Sequence, residues 1–266
     1  MGRGKAMRCS EIIKRLEVLA PPGFAEEWDN VGLLAGRSGK EVRRVYIAVD
    51  ATDEIVEDAV EAEADLLLTH HPLIFKPLKS VTEENFISRR ILRLLQADIS
   101  YYAMHTNFDV MGMADAAADE LGLLDRQVLE VTYEDEISRE GVGRYGRLPG
   151  RMSLAALAEL VKERFRLPAV RVYGELDEKA EIAAISPGSA KSVVPFAVQA
   201  GVEVLISGDI DHHMGLDLVA QGVSVIDAGH YGLEKLFVPY MKDFFERNLP
   251  GISVITAEEK SPYTVI

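Results

Sequence analysis

Residues 66–72 read Leu66-Leu67-Leu68-Thr69-His70-His71-Pro72, a short apolar run of three leucines followed, after one threonine, by two histidines. A run of this length without polar residues is typical of a strand that is buried on both faces of a parallel sheet. At the end of such a strand, where the chain turns toward Pro72, two neighbouring imidazoles can fork around one site. The stretch therefore predicts a central strand at 66–68 with a candidate site at its carboxyl end.

Outward from this stretch, segments that resemble strands alternate with segments that resemble helices. Before residue 130 we predict strands at 31–35, 45–49 and 99–104, and helices at 10–19, 53–60, 87–96 and 114–121. After it we predict strands at 128–132, 143–148, 170–173, 182–185, 204–206 and 223–226, and helices at 153–165, 190–200, 215–221 and 233–247. The alternation predicts an α/β fold with largely parallel sheet and helices on both faces.

The polar segment 133–143 shows no clear hydrophobic period, and it is the best candidate boundary between two lobes. We expect two α/β lobes of similar layered architecture, at approximately 8–130 and 131–266, within a single unit that spans 8–266.

Composition restricts the classes of partner. The chain has 266 residues and a formal net charge of −14, which disfavours binding to nucleic acid phosphates or to anionic membrane lipid. Its one cysteine, Cys9, excludes an intrachain disulfide and a thiolate zinc cluster. Residues 1–7 lack the apolar stretch of a signal peptide, and no apolar run approaches the length of a membrane span. We expect a cytoplasmic protein that binds neither nucleic acid nor membrane.

Every histidine of the chain follows a predicted strand. The six are His70, His71, His105, His212, His213 and His230. In open α/β sheets, ligands bind beyond the carboxyl ends of the strands, so this distribution predicts a functional site there.

Carboxylates accompany these histidines at helical spacing. His230 and Glu234 are four residues apart at the start of a predicted helix and share one face. His105 and Asp109 have the same spacing on a predicted loop, where Asp109 is the favoured ligand and His105 could orient it or act on substrate. The alternatives are a buried and an exposed histidine at 70–71, a surface ion pair at 230 and 234, and a helix-capping role for Asp109.

The mixed donors favour two neighbouring divalent ions over one. The predicted ligands are His70, His71, Asp109, His230 and Glu234. Imidazole and carboxylate ligands suit iron, zinc, manganese, cobalt or nickel, and they do not identify which. Five ligands are too many for one tetrahedral zinc, but they suit two ions that share a carboxylate.

A second polar cluster follows the predicted strand at 204–206, and it consists of Asp209, Asp211, His212 and His213. These groups could support the ligands, transfer protons or contact substrate, and Asp211 could instead cap the next helix. We take His105, Asp209 and His213 as the candidate catalytic residues. Tyr231 could reach substrate or pack in the core.

Ordered motifs connect the chain to a known family. They are Glu27-Trp28-Asp29-Asn30-Val31-Gly32-Leu33, Val49-Asp50-Ala51-Thr52, Leu68-Thr69-His70-His71-Pro72, His105-Thr106-Asn107-Phe108-Asp109, Ser207-Gly208-Asp209 with His212-His213, and Gly229-His230-Tyr231-Gly232-Leu233-Glu234. From about Ser10 to its C-terminus, the chain resembles the NIF-three-like proteins, also called dinuclear metal-centre proteins or GTP cyclohydrolase 1 type 2 homologues.

The resemblance implies a metal pair in the cleft between two lobes, with the C-terminal motif returning to the first lobe's metal site. It implies the five ligands named above, with Glu234 touching both ions, and a ring-shaped homo-hexamer. Asp29 and Asn30 are predicted to fix a turn, and Trp28 to make a lobe contact.

Three functions are compatible with such a site. The first is a metal-dependent hydrolase of the GTP cyclohydrolase 1 type 2 kind, in which a metal-activated water attacks a nucleotide or a related small molecule. A phosphoesterase would use the same groups, and no P-loop is visible in the sequence. The second is a metal chaperone, insertion or storage protein without turnover. The third is an interaction protein with structural metals.

Overall fold

In the computed structural model, which describes residues 6–266, the apolar run at 66–68 lies in a strand that is buried along its whole length, Leu66–Thr69. The described chain divides into two units. One comprises the residues up to Phe108 together with Phe237–Glu259, and the other comprises Asp109–Leu236 and Lys260–Ile266. Residues 1–5 of the predicted N-terminal tail lie outside the described residues.

The first unit holds a short strand pair and a five-stranded sheet. Its strands are β1 (Met7–Arg8), β2 (Gly32–Ala35), β3 (Glu41–Val42), β4 (Arg44–Ala48), β5 (Leu66–Thr69), β6 (Ser100–Ala103) and β13 (Ser253–Thr256). Its helices are α1 (Cys9–Leu19), α2 (Asp53–Glu61), α3 (Phe86–Gln96), α4 (Thr106–Phe108) and α10 (Phe237–Asn248), with a 3-10 turn at Pro22–Phe24. The strand order is β13-β4-β5-β6-β2, and only β2 is antiparallel to its neighbour.

The second unit holds a six-stranded sheet. Its strands are β7 (Leu124–Glu134), β8 (Arg139–Ser153), β9 (Arg171–Tyr173), β10 (Lys179–Ser189), β11 (Val204–Gly208) and β12 (Ser224–Asp227). Its helices are α5 (Ala114–Leu121), α6 (Leu154–Arg164), α7 (Val194–Ala200), α8 (His212–Ala220) and α9 (His230–Glu234), preceded by a π-helical turn at Asp109–Met113. The strand order is β7-β8-β10-β11-β12-β9, in which only β10, β11 and β12 run parallel.

Helices cover the sheet of each unit, which confirms the predicted layered α/β architecture. In the first unit, side chains of α2 and α3 pack with alternate residues of β4 and β5, such as Tyr46 and Leu67. The intervening residues, including Ile47 and Leu68, are also buried, and α10 contacts β4 and β13. In the second unit, α5, α6 and α9 pack on one set of alternating strand residues, and α7 and α8 pack on the other.

The two compact units divide the chain at positions that differ from the predicted lobe boundary. The described chain passes between units after Phe108, after Leu236 and after Glu259, whereas the prediction placed one boundary near 130. Segment 133–143 is the end of the β7–β8 hairpin, with its turn at 135–138, and the hairpin pairs from Leu124 with Arg147 to Glu134 with Arg139. Its polar character reflects an exposed hairpin end and not a linker. Hairpin pairing also makes both strands longer than the predicted 128–132 and 143–148.

Other differences have local causes. The predicted helix 233–247 is two helices, α9 and α10, because Leu233 packs in the core of the second unit while Phe237 belongs to the first. Thr52 caps α2, since its side chain accepts from the Ile55 amide. The second sheet is mixed where a largely parallel sheet was expected. Among residues 6–266, no helix combines the length and the apolar character needed to cross a membrane.

We expect Leu68→Ala to lower the free energy of unfolding by about 2–5 kcal/mol, because it opens a cavity at a fully buried position of the central strand. Urea unfolding followed by circular dichroism would measure this. Val18→Ala is the control, since Val18 is 81% exposed on α1, and it should change stability by at most about 0.5 kcal/mol. Equal losses in the two variants would contradict the burial argument.

Candidate metal centre

Three imidazoles meet at the carboxyl edge of the first sheet. His70 and His71 follow β5, and His105 follows β6, which runs parallel to β5. Parallel strands bring their carboxyl ends to one edge, and the three residues offer ring nitrogens that lie within 4.8 Å of one another. The amides of His70 and His71 both donate to the Val49 carbonyl, at 3.1 and 2.9 Å. These two hydrogen bonds fix the backbone at the point where the two histidine side chains diverge. A cluster of this kind could hold a metal ion.

Each of these rings is anchored through Nδ1. The acceptors are the Met104 carbonyl at 2.8 Å from His70, Asp50 Oδ1 at 2.7 Å from His71, and Asp29 Oδ1 at 2.9 Å from His105. A carbonyl or carboxylate acceptor assigns the proton to Nδ1, so the lone pair of the neutral ring lies on Nε2. This is the arrangement typical of metal-ligating histidines.

The pair at 70–71 also resembles the alternative considered from sequence. His70 is fully buried and bonds to backbone, as a structural histidine would. His71, however, is half-buried and bonds to a carboxylate, and its ring centroid lies 4.9 Å from that of His70. The second ring therefore faces the same cluster, as a shared site requires.

Asp29 does more than fix a turn. Its fully buried carboxylate accepts from the Thr106 amide at 3.0 Å and the Thr106 hydroxyl at 2.6 Å, besides His105. Burial alone would raise the pKa of Asp29, but the hydrogen bonds from His105 and Thr106 outweigh it and lower that pKa to about 2. Asp29 is therefore ionised at neutral pH and holds His105 in place. From the sequence, Asp29 was predicted only to fix a turn, and Asp50 was given no role.

In the second unit, His230 and Glu234 meet at the carboxyl edge of the parallel strands. His230 follows β12 and begins α9, and its Nε2 lies 2.9 Å from Glu234 Oε2 one turn later. Asp209, just beyond β11, accepts from Nδ1 of His230 at 2.8 Å. The ring of His230 therefore repeats the anchoring of His71 and His105, with Nε2 turned toward the buried carboxylate of Glu234.

Two glycines provide space for this pair. A Cβ at Gly188, which has a φ of +77°, would lie 2.6 Å from Glu234 Oε1. A Cβ at Gly208 would collide with the backbone of His230. Sequence reasoning missed Gly188, because only the folded chain brings β10 beside α9.

The carboxylates of Glu234 and Asp209 favour the protonated form of His230 when metal is absent. Burial would lower the pKa of His230, but its bonds to Glu234 and Asp209 outweigh burial and raise that pKa to about 9. A metal ion that binds Nε2 must therefore displace a proton.

Asp109 begins the π-helical turn Asp109–Met113 of the second unit. It does not cap the following helix, because the cap position of α5 is Met113. π-Helical turns are often found at functional sites. Asp109 remains a predicted ligand.

The four residues of the second polar cluster, Asp209, Asp211, His212 and His213, make different contacts. Asp211 caps α8 by accepting from the Met214 amide at 2.9 Å, so the capping alternative is confirmed. His212 and His213 are exposed on the first turn of α8, with ring centroids 5.2 Å apart. Tyr231 accepts from the Lys260 amide at 3.1 Å. Of this cluster, only Asp209 bonds to a predicted metal ligand; proton transfer by Asp209 or His213 stays a prediction.

Comparison with known proteins identifies the family. The family model described as Duf34/NIF3 (NGG1p interacting factor 3) matches residues 7–262. The chain belongs to the DUF34/NIF3 family. A relative named GTP cyclohydrolase 1 type 2 homolog, from Clostridium perfringens, is 30% identical over 264 residues, which cover 98% of this chain and 100% of that protein. The resemblance inferred from the motifs is thus confirmed.

Solved structures agree with this NIF3-family fold. A Staphylococcus aureus protein has a TM-score of 0.87 and 29% identity, covering 98% of this chain and 99% of that one. A Bacillus cereus protein related to NIF3 has a TM-score of 0.89, with 98% and 100% of the two chains covered; at 23% identity it shows the fold alone.

We expect the charged His230 to stabilise chelator-treated protein in a defined pH window. Because its folded pKa of about 9 exceeds the ordinary 6.5, this contribution is fully present below pH 6.5 and is lost as pH rises through 9. The stability difference between the wild type and His230→Asn, measured by urea unfolding, should shrink over that range. NMR titration of the imidazole should show its pKa falling in Asp209→Asn. A constant stability difference from pH 6.5 to 9 would contradict the assignment.

Proposed function

We propose that this NIF3-family chain binds two divalent metal ions through His70, His71, Asp109, His230 and Glu234, and that it is a metal-dependent hydrolase of a nucleotide or a related molecule. The observation that carries the proposal is the repeated anchoring of imidazoles through Nδ1. Carboxylates hold His71, His105 and His230, and a carbonyl holds His70. Ligands oriented in this way lose less conformational entropy when a metal binds, and their Nε2 atoms become more basic donors.

The chemistry of Glu234 supports two ions over one. Its carboxylate is 2% exposed, with Oε2 toward His230 and Oε1 toward the space left by Gly188. A carboxylate with both oxygens directed to different sides can bridge a metal pair. Mixed imidazole and carboxylate donors suit iron, zinc, manganese, cobalt or nickel.

Bound divalent ions would supply a water activated near neutral pH and would offset the negative charge of phosphate groups. Hydrolysis adds one water across a C–N or P–O bond, with the oxygen going to carbon or phosphorus and a proton going to the leaving atom. The chain must move that proton. His105 suits the task, because Asp29 holds its Nδ1–H and leaves the Nε2 lone pair to accept a proton and return it. Asp29, with a pKa of about 2, stays ionised and stabilises the imidazolium that forms.

One observation favours metal handling as a second candidate. Both nitrogens of His230 face carboxylates, so a proton competes with metal at this ligand. Such competition makes metal release sensitive to pH, which would serve a chaperone or storage protein.

We expect His71→Ala and Glu234→Ala to lower the bound metal per chain while circular dichroism stays close to that of the wild type. Elemental analysis after loading with manganese or zinc would measure the metal. His212→Ala is the matched control, because His212 lies on the exposed start of α8 and outside the proposed ligand set. Asp50→Asn keeps the His71 ring but removes the charge on its anchor, so metal affinity should fall about 10–100-fold. Unchanged metal content in the ligand variants would refute the proposed centre.

Turnover separates the two candidate functions. Protein loaded with each of the five metals would be incubated with GTP and a panel of phosphoesters, with products resolved by chromatography. We expect hydrolysis of at least one substrate, and a fall in kcat of about 10²–10⁴-fold in His105→Gln from loss of proton transfer. No product with any metal, together with fast transfer of metal to an acceptor, would favour metal handling instead.

A further inference from the structure

Two large aromatic side chains lie exposed beside the imidazole cluster of the first unit. Trp28 is 57% exposed and Phe75 is 49% exposed, and their ring centroids are 5.5 Å apart. The ring of His105 lies 5.9 Å from that of Trp28 and 6.3 Å from that of Phe75. Single exposed apolar side chains are ordinary, but adjoining exposed rings that continue into a candidate site call for a ligand.

The same hydrogen bonds that build the imidazole cluster hold this aromatic pair. Asp29, next to Trp28, bonds to His105 and Thr106. Asn30 donates from its side chain to the Ile74 carbonyl at 2.6 Å, which ties the segment of Trp28 to the segment of Phe75. Both rings are therefore held relative to His105 before any ligand arrives, and a pre-organised surface loses little entropy on binding.

We propose that Trp28 and Phe75 form a subsite that binds the planar heteroaromatic ring of the substrate, such as a purine base. The inference rests on the proposed function, because it assigns the substrate of that site a ring. Exposed aromatic side chains recognise bases by stacking, and stacking tolerates many ring types. The neighbouring carboxylates of Asp29 and Asp50 and the net charge of −14 disfavour direct recognition of phosphate by this surface. In this proposal the metal ions bind the phosphate groups of the substrate, and the aromatic pair binds its ring.

The position of the pair suits a reaction at the ring itself. The ring of His105, the proposed proton carrier, lies 5.9 Å from that of Trp28 and 6.3 Å from that of Phe75, so a ring that stacks on this pair on the side of His105 would be its neighbour. The bond to be hydrolysed would then belong to the ring or to a group attached directly to it. A phosphate ester far from the ring would not be brought close to His105 by ring binding at this subsite.

Trp28 is the single tryptophan of the chain, so its fluorescence reports on this subsite. Metal-loaded protein would be titrated with GTP, guanosine and ribose 5-phosphate. We expect saturable quenching with GTP and guanosine, and none with ribose 5-phosphate, which carries no base. Phe75→Ala should weaken guanosine affinity about tenfold through lost stacking, while metal content stays unchanged. Calorimetry should show a similar loss in Trp28→Ala and recovery in Trp28→Phe, which restores an aromatic ring.

Tyr133→Ala is the matched control, because Tyr133 is a 42% exposed aromatic on the β7–β8 hairpin of the second unit, and it should leave guanosine affinity unchanged. Quenching that depends on Phe75, without any hydrolysis product, would support the subsite and refute the hydrolase. Turnover of GTP with wild-type KM in both aromatic variants would overturn the subsite and leave the hydrolase intact. A change of sedimentation coefficient in these variants with unaltered guanosine affinity would also overturn it, and would assign the pair to contact between copies of the chain.

Discussion

The hydrogen bond from an imidazole Nδ1 to an acceptor behind it is the constraint on which the candidate site depends. An unanchored histidine at a strand end can rotate about two side-chain bonds and can place its proton on either nitrogen. Asp50, Asp29 and Asp209 remove both freedoms for His71, His105 and His230, and a backbone carbonyl does so for His70. Within each unit, the register of the parallel strands brings the rings that follow them to the carboxyl edge of that unit's sheet.

This construction has an electrostatic cost when no cation is present. Asp29, Asp50, Asp209 and Glu234 concentrate negative charge at the strand ends of a chain that is already strongly acidic. In the metal-free protein, a proton on His230 offsets part of this negative charge. The carboxylates of Glu234 and Asp209 raise the pKa of His230 to about 9. A divalent ion would replace that proton and neutralise more charge. Metal binding and folding stability are therefore expected to be coupled, since any ligand that prefers the folded state stabilises it.

The candidate donors carry a local signal in the sequence, whereas the residues that hold their rings do not. Histidines that follow apolar strands can be placed at a sheet edge from topology alone, which is why the sequence predicts that all six histidines lie at strand ends. The residues that hold them come from distant segments: Asp29 lies 76 positions before His105. Asp50 and Gly188 carry no local signal for their roles, because contact with His71 or Glu234 exists only after strand pairing. Two of the three unit boundaries, at 108 and 236, carry no local signal for a related reason: they fall next to the site motifs, within short helical connections, and not in the polar hairpin at 133–143.

The three consecutive residues Trp28, Asp29 and Asn30 show how one short segment can serve several parts of a site. Asp29 fixes the proposed proton carrier, Asn30 fixes the loop that carries Phe75, and Trp28 presents its ring to solvent between them. A turn with only a structural purpose would not need an exposed tryptophan, because its ring contributes little to the core at 57% exposure. The same backbone segment thus sets the distance between a stacking surface and a proton carrier. A substitution that shifts this segment would be expected to disturb ring binding and proton transfer together, whereas removal of the indole alone would disturb only the former.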